Sequence, residues 1–331
     1  MKPKVYYAIS QSARDRYWCE SQLQALGDFA EVVLPDDPSS PWESAPADLQ
    51  GVVIGWGAPK LPEEAWKRLE ALKIVSIFGG SAQVIENAVG LIRRGVVVSN
   101  VAHEIGEGVA EEAVALMLAA RLEIVNSAIR YRERADRSIP GRIYDSLSGS
   151  TVGLIGFGFV ARHVAGLLRA FGVRLLVCDP YADEERLESF GAERSSLEDL
   201  LSASDVISLH AGWTSETEGM LNAARLAMIR PGAVVVSTAR MPIFDQAALA
   251  ECVRAGKFSF ASDFIALDEE VWSDPATCGC ENLIGVHGHT SVTHRTLRRM
   301  GDRVVSDMRA VLAGEGDVGH RVTEEWIIHT T

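Results

Sequence analysis

The sequence predicts an α/β protein built on two doubly wound parallel sheets. Three observations predict it. Short apolar runs alternate with helical stretches along almost the whole chain. The alternation comes in two series, separated by one long helical stretch. The second series opens on a strand, a glycine-rich turn and a helix in immediate succession. Such alternation means parallel strands, because crossover helices cover both sheet faces and leave the strands apolar throughout.

In the first series VYYAI (5–9), EVVL (31–34), GVVIGW (51–56), KIVSIF (73–78) and VVVS (96–99) are strands, and PEEAWKRLEAL (62–72) is a helix between two of them. Apolar residues then recur at helical spacing over 106–135, which predicts one long helix. DRSIPGRIYDSLSGS (136–150) carries Gly, Ser and Pro and is a connector or an oligomer arm. The second series places strands at 151–156, 173–178, 205–209, 233–237, 258–263 and 282–286, with helices at 159–171, 222–229, 245–255 and 292–313. Six strands with intervening helices form a sheet of nucleotide-binding size. No internal repeat or low-complexity tract interrupts the pattern.

Bulk properties narrow the function. A chain of 331 residues favours two domains. Its 32 basic and 45 acidic residues give a formal charge of −13, which disfavours nucleic acid and anionic membranes as partners. A small anionic substrate stays possible, because a few local cations can dominate a pocket. The N-terminal apolar run is short for a signal peptide, and no stretch approaches the roughly 20 apolar residues of a membrane span. Five cysteines at irregular spacing do not suggest a disulfide framework. A cytoplasmic protein is expected.

The segment Gly156-Phe157-Gly158-Phe159-Val160-Ala161 reads G-x-G-x-x-A between the strand TVGLI and a helix. The first glycine permits a tight turn, the second lets the backbone approach a pyrophosphate, and the small third residue packs helix on strand. The helix start offers N–H groups and a partial positive charge to phosphates. A second strand ends at Asp179, 21 residues after Gly158. An acid there accepts bonds from ribose hydroxyls and repels a 2′-phosphate, so NAD is expected rather than NADP. The alternative is a tight structural turn in a sheet with no cofactor.

From about residue 50 to 320 the chain resembles the D-isomer-specific 2-hydroxyacid dehydrogenases. The carrying segments are GVVVSNVAHEIGEGVAEEAVALML, VGLIGFGFVARHVAGLLRAFGVRLLVCDPY, LEDLLSASDVISLHAGWTSETEGMLNAARLAMIRPGAVVVSTAR and MGDRVVSDMRAVLAGE. The first fifty residues share only the strand–helix rhythm. The resemblance implies a flavodoxin-like substrate domain made of residues 1–101 and 291–331. It implies a Rossmann NAD-binding domain at 102–290, an active site in the cleft between them, and a homodimer formed through the helix around 109–130. The substrate would be a small 2-hydroxy or 2-oxo acid.

The same resemblance implies the site residues. Arg240 falls where the family's arginine holds the substrate carboxylate and polarises the 2-oxo group. Its planar fork suits a carboxylate. A histidine exchanges a proton with the carbonyl oxygen, and a carboxylate orients it and raises its pKa. Cofactor contacts are implied at Gly156, Gly158, Phe159, Val160 and Asp179. Further contacts are implied at His210, Ala211, Thr238, Ala239, Arg240, Asp263 and the histidine. The turn FGGSAQ (78–83) matches the family's carboxylate-binding loop, with Gly79, Gly80 and Ser81 as substrate contacts.

Three positions depart from the family. Met241 stands where the family has glycine, and a bulky residue there could reshape the pocket. The family's orienting glutamate is replaced by Asp268, with Glu269 as the alternative, and the following proline is absent. Counting from either side places Gly288 at the family's histidine position, between His287 and His289. His289 keeps the context that precedes the next helix and is the expected proton donor, with His287 as the alternative. Cys278, Cys280, His287 and His289 could also form a zinc site. Their one-residue spacings are not typical of structural zinc, and no metal is expected. The three departures leave open an NAD-responsive sensor without turnover.

Overall fold

The structure is a computed structural model and describes residues 2–134, 145–263, 269–286, 288 and 291–330. The chain divides into two compact units, Met1–Ile105 with Val292–Thr331, and Gly106–Ser291.

Among the described residues of the first unit, five strands form one sheet. They are β1 (Lys4–Tyr7), β2 (Glu31–Val33), β3 (Gly51–Gly55), β4 (Ile74–Phe78) and β5 (Val97–Asn100). All pair in parallel in the order β2-β1-β3-β4-β5. This is the flavodoxin-like order. Alternate residues face opposite sides, as the two-residue period of a strand requires. Val5, Tyr7 and Val53 pack with Met300, Val304 and Met308 of the helix His294–Leu312. Tyr6, Val52 and Ile54 pack on the other face with Trp66 and Leu91. The helix His294–Leu312 therefore completes the core begun by the N-terminal strands.

The second unit contains β6 (Thr151–Ile155), β7 (Arg174–Cys178), β8 (Ala192–Arg194), β9 (Val206–Leu209), β10 (Val234–Ser237), β11 (Ser259–Ser262) and β12 (Leu283–Gly285). Its parallel order is β8-β7-β6-β9-β10-β11-β12. This Rossmann arrangement reverses direction between β6 and β9, which makes their C-terminal ends the topological switch point. The sheet has seven strands among the described residues where the sequence predicts six. The additional one, β8, spells Ala192-Glu193-Arg194, and its two charged residues are exposed at the sheet edge. Three residues with so little apolar content leave no periodic signal.

The long helix expected over 106–135 is two helices, Ala102–Arg121 and Ile124–Arg134. They break at Glu123, which adopts φ 47°. A left-handed non-glycine residue costs about 1–2 kcal/mol. The Glu123 carboxylate lies 3.4 Å from Arg130 Nη2, which favours the bend. Neither glycine nor proline marks the break in sequence. Among the described residues, no helix is long and apolar enough to cross a membrane.

Candidate functional site

The switch point in the second unit carries most of the expected cofactor residues. Gly156 follows β6 with φ 87°, and its N–H donates to the Cys178 carbonyl at 2.9 Å. A Cβ at Gly156 would sit 2.8 Å from the Ala211 nitrogen, so the β6–β9 approach admits only glycine. Gly158 caps the helix Phe159–Leu168 without a side chain, and a Cβ there would meet nothing within 4 Å. The turn is thus tight at its first glycine and open at its second. Ala161 is fully buried behind it. Phe159 and Val160 are half-buried, and the Phe159 ring occupies the space that a Cβ on Gly106 would fill.

Asp179 follows β7 and turns its carboxylate toward this turn. Oδ2 accepts the Phe157 N–H at 2.6 Å, and Oδ1 accepts the Tyr181 N–H at 2.8 Å. Arg162 grips the same residue from the other side, donating from Nη1 to the Phe157 carbonyl at 3.0 Å. Burial and the positive charge of Arg186 lower the Arg162 pKa, and Asp179 opposes that shift. A carboxylate and two guanidinium groups therefore share this corner.

Across the switch point, His210 and Ala211 follow β9, while Thr238 and Ala239 follow β10. His210 is held between two hydroxyls, Ser208 Oγ at 2.8 Å from Nε2 and Thr238 Oγ1 at 3.3 Å from Nδ1. Burial pushes its pKa down to about 4, so the ring is neutral near pH 7. Arg240 is exposed at the strand end and precedes the short helical turn Met241–Ile243. Met241 does not line an opening: it is 1% exposed and belongs to the apolar core with Ile155, Leu209 and Phe244.

Asp263 follows β11 and is 3% exposed. Its pKa is raised to about 7, first by burial and then by the negative charge of Glu112, while a backbone hydrogen bond and Arg240 oppose the rise. Glu112 is a residue that sequence reasoning missed. It lies in the helix Ala102–Arg121 and is buried, one turn before Leu116 on the packed face. An acid in that register is the signal that could have found it, because an ordinary amphipathic helix keeps its acids outside.

In the first unit, the Gly79-Gly80-Ser81 loop follows β4. The Gly79 carbonyl accepts the Val101 N–H at 3.2 Å, and the Gly80 carbonyl accepts Asn100 Nδ2 at 3.2 Å. Among the described residues, the N–H groups of Gly80 and Ser81 donate to no protein acceptor. The Ser81 hydroxyl caps the next turn by accepting the Gln83 N–H at 3.2 Å, which occupies one of its lone pairs.

Asp268, His287 and His289 lie outside the described residues, so the expected proton donor, its rival and its orienting acid have no described geometry. Glu269 begins the helix Glu269–Ser273. Cys278 ends the short helix Pro275–Cys278, and Cys280 Sγ lies 3.2 Å from the Ala276 carbonyl as a weak donor.

The open helix start at Gly158, the carboxylate at the end of β7 and the reversal of strand order together fit a dinucleotide. Residues 113–291 match the D-isomer specific 2-hydroxyacid dehydrogenase NAD-binding domain, more than half of the chain. The chain belongs to the D-isomer-specific 2-hydroxyacid dehydrogenase family. Within this dehydrogenase family it is 31% identical over 303 residues to D-3-phosphoglycerate dehydrogenase of Mycobacterium leprae, covering 89% of this chain and 56% of that one. It thus spans little more than half the length of that relative. It is 26% identical to glyoxylate reductase of Thermococcus litoralis, covering 95% of each. The fold also matches D-lactate dehydrogenase from Aquifex aeolicus, solved with NAD and lactic acid, with a TM-score of 0.76, 23% identity and coverage of 96% and 98%.

Proposed function

We propose that the protein is an NAD-dependent dehydrogenase of small D-2-hydroxy acids, working in the cytoplasm as a homodimer. The observation that carries the reading is the switch point: Gly156 forced against Ala211, Gly158 open, and Asp179 braced beside them. Gly158, Phe159 and Val160 would hold the pyrophosphate of NAD, and Asp179 its ribose. His210, Ala211, Thr238, Ala239 and Asp263 would border the nicotinamide half. The five cysteines are free thiols, the state that a reducing compartment maintains.

Bound NADH supplies a hydride to C2 of the 2-oxo acid. The residues of the chain do the rest. Arg240 clamps the carboxylate and polarises the 2-oxo oxygen, so negative charge growing on that oxygen meets a fixed cation. The N–H groups of Gly80 and Ser81 are further carboxylate donors. His289 passes its proton to the oxygen and recovers it in the oxidative direction, with Asp268 orienting the ring. Asp263, largely protonated below about pH 7, can donate a hydrogen bond to the nicotinamide carboxamide.

The test is NADH oxidation with a panel of glyoxylate, hydroxypyruvate, pyruvate and bulkier 2-oxo acids. Turnover of at least one member supports the reading. Tight NADH binding with no turnover across the panel would replace the enzyme by an NAD-responsive sensor.

A further inference from the structure

The Gly79-Gly80-Ser81 loop is anchored by a side chain that also takes a hydrogen bond from the far end of the chain. Asn100, the last residue of β5, is fully buried. Its Nδ2 donates to the Gly80 carbonyl at 3.2 Å, and its Oδ1 accepts the Ala102 N–H at 3.2 Å. A carbonyl only accepts and an amide N–H only donates, so these two partners fix which way the Asn100 amide points.

His320 completes the arrangement. Its Nδ1 makes a short hydrogen bond with Asn100 Oδ1. Since Oδ1 carries no hydrogen, Nδ1 must be the donor, which assigns the tautomer. The segment around His320 is strapped along β5. The Asn100 N–H donates to the His320 carbonyl at 3.1 Å, the Val322 N–H donates to the Val98 carbonyl at 2.8 Å, and Ser99 bridges to Arg321 in antiparallel fashion. The His320 ring lies 4.3 Å from the His103 ring and 5.6 Å from Trp326, centroid to centroid. Burial, reinforced by His103, lowers the His320 pKa to about 4. The ring is therefore a neutral Nδ1–H donor at physiological pH.

The consequence for the loop follows from peptide geometry. The C=O of Gly80 and the N–H of Ser81 belong to one trans peptide and point in opposite directions. Fixing the Gly80 carbonyl on Asn100 turns the Ser81 N–H away from Asn100.

We propose that His320 is a positioning residue for substrate binding: through Asn100 it fixes the 80–81 peptide so that its N–H stays available to the substrate carboxylate. This rests on the reading that the Gly79-Gly80-Ser81 loop takes that carboxylate. His320 lies outside residues 113–291, the part that matches the family's NAD-binding domain.

The test uses the full chain loaded with NADH and titrated with oxamate, an unreactive analogue of a 2-oxo acid. His320→Ala should weaken oxamate binding by roughly tenfold, the value of one hydrogen bond of about 1.4 kcal/mol. The Kd for NADH should stay within about twofold, a split that general destabilisation would not produce. His320→Asn places an N–H donor close to the position of Nδ1 and should recover most of the loss. Wild-type oxamate affinity in His320→Ala, or no recovery in His320→Asn, overturns the inference. Should His320→Ala fail to fold, His320→Asn against His320→Asp makes the same comparison, because the two are matched in size and only Asn can donate. Ser81→Pro removes the loop N–H directly and separates the two levels. If it weakens oxamate while His320→Ala does not, only the role of His320 fails. If Ser81→Pro binds oxamate like the wild type, the loop reading fails and this inference falls with it.

Discussion

Asp179 and Phe157 are joined by a 2.6 Å hydrogen bond from the Phe157 N–H to Asp179 Oδ2. The acid expected at the ribose therefore also braces the glycine turn. Asp179→Asn keeps an acceptor for that N–H but removes the negative charge. Arg162, next to Arg186, then loses the opposing negative charge of Asp179. NADH affinity should fall about tenfold, while the preference for NADH over NADPH, read as the ratio of kcat/KM values, should relax by at least about tenfold. Asp179→Ala should add a stability loss of about 1–3 kcal/mol, because the Phe157 N–H loses its partner. An unchanged cofactor ratio in Asp179→Asn would remove the ribose assignment.

The two glycines of the turn should respond differently to alanine. At Gly156 the new Cβ meets the Ala211 backbone at 2.8 Å, and φ 87° is unfavourable for any side chain. Gly156→Ala should destabilise the protein by about 2–4 kcal/mol, combining the left-handed penalty with a clash that backbone cannot relieve cheaply. At Gly158 the Cβ enters open space and φ is −68°. Gly158→Ala should melt close to the wild type yet lose NADH affinity by tenfold or more, since only the bound pyrophosphate needs that space. Thermal melts paired with NADH fluorescence titrations check both. Equal NADH affinity in Gly158→Ala and the wild type would show that no phosphate approaches there.

Asp263 gives a pH dependence whose sign can be worked out. Its carboxyl titrates near 7 in the folded chain and near 3.8 when unfolded. The unfolded state therefore holds fewer protons between these values. The stability contribution is fully present below about 3.8 and declines as pH rises through about 7. The difference of roughly three pKa units sets a ceiling of about 4 kcal/mol. Urea unfolding of the wild type and Asp263→Asn at pH 5 and pH 8 should show the wild type losing ground to the variant at pH 8. Glu112→Gln should lower the Asp263 pKa by removing a neighbouring negative charge, and so shrink that loss. His210 and His320 act in the opposite window: with pKa values near 4 against 6.5 unfolded, they destabilise the fold as pH falls from 6.5 to 4.

Most of this architecture was legible in sequence because buried parallel strands are continuous apolar runs. Apart from the edge strand β8, every strand of both sheets was foreseen within two residues at either end. β8 was hidden because an edge strand of one alanine and two exposed charges has no periodicity. The helices Gln11–Tyr17 and Leu197–Ala203 are only seven residues long, too short for a helical repeat to stand out. The glycine turn and Asp179 were legible because their spacing is imposed by a single strand–helix–strand unit. Glu112 and His320 were not, since each matters through partners far along the chain. The break at Glu123 depends on an ion pair and a left-handed residue, neither of which local composition announces.

Arg240 stands at the end of β10, on the strand next to the one that precedes Asp263. It is exposed and its charge acts on the Asp263 carboxyl, so a cation stands beside Asp263. Arg240→Ala should reduce kcat/KM for the 2-oxo acid by about 10³, as expected for loss of two charge-assisted hydrogen bonds of about 2 kcal/mol each. The Kd for NADH should change by less than about threefold. Arg240→Lys should recover only part of the activity, because an ammonium cannot form the bidentate pair. Substantial residual turnover in Arg240→Ala would end its assignment to the carboxylate.

The helix Ile124–Arg134 exposes Ile124, Val125, Ile129 and Tyr131, and Leu122 is exposed just before it. Isolated apolar residues on a surface need no explanation, but five within ten positions form a patch of the kind that marks an interface. The helix follows directly from Ala102–Arg121, so the two together contain the segment expected to form the homodimer. A second copy would bury that patch symmetrically. Sedimentation equilibrium should give about twice the 35.9 kDa chain mass for the wild type. Ile124→Glu combined with Ile129→Glu should place two carboxylates in the buried contact and yield a monomer, because desolvating an unpaired carboxylate costs several kcal/mol. The far-UV circular dichroism of the variant should match the wild type, since both positions are at least 43% exposed in the single chain. A wild type that sediments as a monomer would overturn the dimer, and an unaffected dimer in the double variant would move the interface away from this helix.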